Sequence, residues 1–294
     1  MFNFFKTLFS PIIAILDFIT KYFKTIVFLT IIYFLVFDSN EKLVDNNSLA
    51  NLQKIELTGP ILDVNKTLED IEKAKKDSNI KGVLFVVDSP GGSVAPSVEL
   101  AYAIKELKEV KPVVVYASGV IASGSYYASI WANKIIANPG SMVGSIGVIM
   151  QGVNASELME KIGVSTQTVK AGKYKESGTP TRKWFDFEEK QLQSVINDTY
   201  DMFIADVASA RNLDVKNHTL YADAKIFTSK QAKEVGLIDE VATISYAQNT
   251  LLELSGVKNP IWKKEDKFEK FMDKLVSEAV SKISMNFVSG LKAY

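Results

Sequence analysis

The apolar positions of this chain fall into three regimes. Residues 25–37 (TIVFLTIIYFLVF) form an uncharged apolar block, which extends back to Tyr22 with one interruption at Lys24. From about residue 54 to residue 241, short β-branched runs alternate with apolar stripes of helical period. Beyond Trp262, apolar side chains recur at helical spacing (Phe268, Phe271, Met272, Leu275, Ala279, Ile283) with Lys and Glu between them. This pattern divides the chain into 1–40, a membrane anchor; 41–53, a polar Asn-rich linker; 54–257, an α/β body; and 258–294, an amphipathic helical tail packed on the body or on a neighbouring subunit.

In the body, the runs at 54–57, 82–87, 112–116, 134–137, 165–169 and 238–241 read as strands. The stripes at 68–76, 97–110, 126–131, 155–162, 188–212 and 229–235 read as helices. Strands alternating with helices imply right-handed crossovers and a mainly parallel sheet. The residues at 41–53 and the 171–181 stretch read as loop.

The apolar block is slightly short of the roughly 20 residues that span hydrocarbon, a deficit that Lys21 and Lys24 relieve by snorkelling. Lysines precede the block and Asp38 and Glu41 follow it, which places the N-terminus in the cytoplasm and the body on the far side. The expected location is therefore the inner (cytoplasmic) membrane, single-pass, with a periplasmic or extracytoplasmic body. No small-x-small cleavage site follows Phe37, so the block reads as an anchor and not a signal peptide. Residues 2–20 read as an interfacial amphipathic helix.

Composition narrows the chemistry. The charges balance, 34 basic against 34 acidic, which gives no electrostatic ground for a nucleic-acid partner. There is no Cys and one His, His218, so thiolate and His-rich metal sites are excluded and no cofactor is expected. A serine–histidine triad is disfavoured for the same reason.

Two strand–turn–helix units carry the candidate chemistry. The first turn is Asp88-Ser89-Pro90-Gly91-Gly92 and the second is Ala122-Ser123-Gly124-Ser125. Small residues at the carboxyl ends of parallel strands mark an active-site crevice. Paired glycines there suit an N–H cradle for an oxyanion, or a plain turn. Ser123 suits a nucleophile or an N-cap equally well, and Ser118, Ser125 and Ser129 are its rivals. Without a histidine, the base falls to a desolvated lysine, with Lys170, Lys173 and Lys175 as candidates.

The chain resembles the signal peptide peptidase A family in its short, single-domain form. The resemblance covers roughly residues 50–245 and rests on DSPGGSV (88–94), ASGSYYAS (122–129), ANPGSMVGSIGVI (137–149), AGKYKESGTP (171–180) and ADAKIFTSKQAKEVGLIDE (222–240). It implies an α/β Clp-protease/crotonase-like fold with a repeated ββα-type core and mainly parallel sheet, preceded by a transmembrane helix. It also implies a serine endopeptidase with a Ser–Lys dyad: Ser123 as nucleophile, Lys175 as general base, Ser145 orienting that lysine, and Gly92 and Gly124 as oxyanion donors. Lys173 matches no catalytic position. Ser125 departs from the resemblance, which puts glycine there.

Remnant signal peptides and other unfolded membrane-proximal segments are the implied substrates, with membrane lipid and a homo-oligomer of four to eight copies as the implied partners. Both dyad members are expected from one chain. The competing readings are a related peptidase acting on membrane proteins, a crotonase-type acyl-CoA enzyme, and an inactive peptide-binding scaffold.

Overall fold

The computed structural model describes residues 17, 18, 20–30 and 49–264. Two compact units divide between Ser48 and Leu49. In the first, residues 20–30 are helical, so the beginning of the apolar block takes the expected form. The remainder of that block, residues 1–16 and the tail beyond residue 264 lie outside the described residues. Among the described residues no helix is long and apolar enough to cross a membrane.

The second unit is built on a seven-stranded sheet. Its main path comprises β1 (Leu52–Thr58), β2 (Gly82–Ser89), β3 (Val113–Ala122), β4 (Lys134–Ala137) and β7 (Glu240–Val241), in that spatial order. β5 (Met142–Gly144) pairs with the far end of β3 and carries β6 (Ile226–Thr228). Every pairing is parallel except β5 with β6. Helices α1 (Asn65–Lys76), α2 (Val94–Lys108) and α3 (Gly124–Ser129) make the successive crossovers. They are followed by α4 (Ser156–Lys161), α5 (Asp186–Arg211), α6 (Ser229–Glu234) and α7 (Ile244–Ser255). The architecture is the expected α/β class with a mainly parallel sheet.

Side chains alternate between the two faces of a strand. Phe85, Val87, Val113 and Val115 face the larger core with Leu100 and Ile104 of α2 and Ile204 of α5. Leu84, Val86, Val114 and Tyr116 face a smaller core closed by Ala247 and Leu251 of α7. With both faces covered, β2 is apolar over consecutive residues and not merely in alternation.

Several sequence expectations are corrected here. Residues 165–169 form no strand: residues 164–170 carry no regular structure and the Val169 side chain is fully exposed. A β-branched run with no neighbouring strand has nothing to satisfy its backbone groups. α7 and β6 were not expected at all. Leu52 and Gln53, read as linker, belong to β1. The tail begins not as a helix but along the edge of β1: the Leu52 N–H donates to Ile261 O at 3.2 Å, and the Lys263 N–H donates to Leu52 O at 2.8 Å. The apolar stripe of α5 is covered only in its second half, where Phe203, Ile204 and Val207 are buried; Val195 is 44% exposed.

Candidate active site

The site forms where β2 and β3 end. Their register shifts between Val87 and Ser89, because β3 takes extra residues around Gly119. The Asp88 carboxylate fills that bulge, accepting the Val120 N–H at 2.8 Å. A Cβ on Gly119 would lie 2.4 Å from Asp88 Oδ1, so a larger residue there would displace the carboxylate from the bulge. The bulge lengthens β3 to Ala122 and brings its turn beside the turn after β2.

The first turn meets Ile61 in a one-residue parallel bridge. The Ile61 N–H donates to Gly91 O at 2.9 Å, and the Ser93 N–H donates to Ile61 O at 2.8 Å. That pattern turns the Gly92 N–H away from Ile61. It finds no acceptor among the described residues. Gly91 has φ +89°, and a Cβ on it would lie 2.6 Å from Gly124 N. The two turns are therefore in backbone contact.

Ser123 occupies the N-cap position of α3 with φ 54° and ψ −125°, a conformation that favours glycine. Its side chain makes no capping hydrogen bond, which removes the plain N-cap reading. Its own N–H donates to Gly144 O at 2.8 Å, so the free backbone donor at this turn is the Gly124 N–H. A Cβ on Gly124 would sit 3.3 Å from Gly92 N and 2.1 Å from Ser97 Oγ. The N–H groups of Gly92 and Gly124 thus lie close together, and both residues line the cleft beside Ser123. An anion formed by attack of Ser123 Oγ on a carbonyl would be received there.

The rival serines are otherwise engaged. Ser118 Oγ lies 3.3 Å from Val87 O. Ser129 is buried and donates to Ser125 O at 2.8 Å. Ser125 is buried and bonded on both sides. Ser123 alone of the four is partly exposed with no hydroxyl partner among the described residues.

Beside Ser123 runs a small cleft, open to solvent, walled by Val94, Val98, Tyr127, Val148, Met202 and Phe203. α5 supplies the Met202 and Phe203 part of that wall. Tyr127 packs edge-on against Phe203, with ring centroids 4.7 Å apart, and donates its hydroxyl to the Asp206 carboxylate. Burial, and then that carboxylate, push the phenol far above its ordinary range, so Tyr127 stays neutral.

Ser145 follows Gly144, the residue whose carbonyl takes the Ser123 N–H, and is thereby brought next to the nucleophile turn. It has φ 50°, and its N–H donates to Lys225 O at 2.7 Å. Lys175 is not brought to Ser123. It lies exposed on the turn at 172–177, outside the residues that line the cleft, and no hydrogen bond joins it to Ser123. The turn itself is braced. Glu176 accepts from Lys170 at 2.6 Å and from Arg182 at 3.2 Å, while Arg182 also grips buried Glu188 through two 2.8 Å bonds. Lys173 stands over the Phe187 ring at 4.3 Å. His218 sits edge-on to Tyr200, away from the cleft lining.

A partly exposed serine on a strained strand-to-helix turn, beside two free backbone N–H groups, defines a serine hydrolase site on an α/β scaffold. The chain matches the peptidase family S49 over residues 105–258, just over half its length, and belongs to that family. It is a serine peptidase. A putative protease of Methanocaldococcus jannaschii is 47% identical over 194 residues, which cover 66% of this chain and 61% of that relative. A putative signal peptide peptidase SppA of Enterococcus faecium is 33% identical over 234 residues, covering 75% of this chain and 67% of that one. Among solved structures, a membrane-bound stomatin-specific protease aligns at 15% identity and a TM-score of 0.47, covering 74% of this chain and 94% of that one; so loose a likeness carries no argument.

Proposed function

We propose that this protein is a membrane-anchored Ser–Lys endopeptidase that degrades remnant signal peptides and other unfolded segments near the membrane. The observation that carries the reading is Ser123: strained, uncapped, and beside the paired N–H groups of Gly92 and Gly124. Ser123 Oγ attacks the scissile carbonyl while Lys175 takes its proton. The oxyanion rests on the two N–H groups, and the departing amine receives the proton back. Water then hydrolyses the acyl-enzyme by the same base. Ser145 orients the lysine. The apolar cleft accepts a small or aliphatic side chain next to the cut bond, which suits the core of a signal peptide. The Clp-protease/crotonase-like form of the fold and the membrane anchor belong to this reading, supported by family membership and by the apolar block at 25–37.

The dyad is completed between copies. Lys175 projects from a stretch, residues 149–185, that exposes Ile149, Val153, Leu158, Ile162 and Val169 by more than 60% each. So much apolar surface favours a second copy of the chain over water. In an oligomer, the lysine turn of one copy reaches the Ser123 cleft of the next. The alternative is the expectation that one chain supplies both residues.

The test uses the full chain in detergent with an unstructured signal-like peptide, read by mass spectrometry. Wild type is expected to cut it, and Ser123→Ala and Lys175→Ala to be inert alone. Mixed, unfolded and reassembled together, the two variants are expected to regain activity, since some interfaces then pair an intact serine with an intact lysine. Inert mixtures would return the dyad to one chain. An active Ser123→Ala would overturn the nucleophile.

A further inference from the structure

Ser125 is the residue at which this chain departs from the family it resembles, and the mechanism above does not use it. It is the second residue of α3 and its side chain is wholly buried. Its Oγ accepts the Ala122 N–H at 2.9 Å. The same oxygen lies 2.6 Å from Ser89 O and 2.9 Å from Ala122 O. A hydroxyl has one proton, and the shorter contact claims it. The result is a relay in which Ala122 N–H donates to Ser125 Oγ, and Ser125 O–H donates to Ser89 O.

Each end of that relay belongs to a different catalytic turn. Ala122 immediately precedes Ser123. Ser89 opens the turn that ends in Gly92, and its side chain accepts the Gly91 N–H at 3.2 Å. The last paired residues of β2 and β3 are Ser89 and Ile121, so the hydroxyl sits just where the two strands part. Below it, Gly91 and Gly124 are already in backbone contact. A change in the spacing of the strand ends is therefore passed directly to the turns.

We propose that Ser125 is a positioning residue: its buried hydroxyl pins the end of β3 to the end of β2 and so sets the distance from Ser123 Oγ to the Gly92 and Gly124 N–H groups. This rests on the reading of Ser123 as nucleophile. The oxyanion exists only in the transition state, so the hydroxyl acts on kcat and leaves substrate binding alone.

Two substitutions separate positioning from mere packing. Ser125→Ala fills the site with a methyl group, leaving Ala122 N–H and Ser89 O without the bridge and without room for a water. Ser125→Gly opens about one water's space, and a water with two polar partners can restore the bridge. The measurements are kcat and KM of the full chain in detergent on one signal-like peptide, the labelling rate with a fluorophosphonate, and the thermal midpoint, with Ser123→Ala as control.

The expected result is a fall in kcat and labelling of about 10- to 100-fold for Ser125→Ala at unchanged KM, with Ser125→Gly within about threefold of wild type. Equal loss in both variants, or a Ser125→Ala enzyme within twofold of wild type, would overturn the positioning role while an inert Ser123→Ala still upheld the nucleophile. An active Ser123→Ala would overturn both.

Discussion

Replacing Gly92 by Ala tests the oxyanion space most directly, because the structure fixes what must move. The new methyl group would lie 2.2 Å from Ile61 O and 2.7 Å from Ile61 C and N. Carbon and oxygen need more than 3 Å, so the two backbones must separate by about 1 Å. Ile61 is held on both sides of the bridge, by its bonds to Gly91 O and from the Ser93 N–H. Gly91 in turn is wedged against Gly124. The displacement is therefore expected to swing the Gly92 N–H out of the proposed oxyanion space. Loss of one such donor costs about 10²- to 10³-fold in kcat. The overpacking itself costs about 1–3 kcal/mol of stability. Peptide turnover and urea unfolding, measured on the same preparation, separate the two effects. Gly59→Ala is the control: its φ is +73°, so it carries backbone strain, but no atom stands within 4 Å of its Cβ. It is expected to lose about 1 kcal/mol of stability and little activity. A Gly92→Ala enzyme with kcat within about threefold of wild type, or a Gly59→Ala enzyme equally impaired, would refute the oxyanion assignment.

Ser123→Gly is expected to be inactive yet about 1–3 kcal/mol more stable than wild type in urea, since it relieves a φ of 54° with ψ −125°; Ser123→Ala is expected to be inactive without that gain. Ala224 is exposed at φ 54° directly after Asp223 at φ 65°, and Ala224→Gly is expected to stabilise the fold by about 1 kcal/mol with peptide turnover unchanged. The two bonds from Arg182, and then the Phe185 N–H, hold the Glu188 carboxyl down at about 2. A folded value below the ordinary carboxylate range means a stabilisation present above pH about 4.3 and lost as the pH falls toward 2. Urea midpoints measured downward from neutral pH are expected to fall in that window for wild type, and to fall less steeply there for Glu188→Gln.

The parts of the fold that could be read from sequence were those where local pattern and tertiary burial agree. β2 and β4 are apolar because both sheet faces are covered, and α2 shows its buried stripe at Leu100, Ile104 and Leu107. The extension of β3 to Ala122 was hidden because Ser118 and Gly119 break the apolar run. What sustains the strand there is the Asp88 carboxylate, supplied from β2. α7 went unread although its apolar residues recur at helical spacing; it buries only Ala247 and Leu251, against the far side of the sheet. The opposite error, a strand at 165–169, came from β-branched residues with no sheet edge within reach. At the site, the choice of Ser123 over Ser118, Ser125 and Ser129 depends on backbone dihedrals and hydrogen-bond partners, which no local sequence pattern encodes. Lys175 was singled out from Lys170 and Lys173 by the family resemblance alone.

The two halves of the proposed dyad rest on very different foundations. Ser123 is held by the sheet, by the Gly144 carbonyl and by the core beneath Tyr126 and Ile121, both fully buried. The stretch that presents Lys175 buries little: α4 has no buried residue, and the lysine turn is braced by its own ion pairs and aromatic contacts, Tyr174 against Phe187 among them. Catalysis needs its groups held to a fraction of an ångström, and a turn lacking a core cannot supply that alone. In the proposed assembly a neighbouring copy would hold it, because docking would bury the exposed apolar side chains of 149–185. In that arrangement an isolated chain has a formed oxyanion space but no base. Peptide hydrolysis is then expected to be confined to the assembled protein, so that dilution to single chains abolishes turnover.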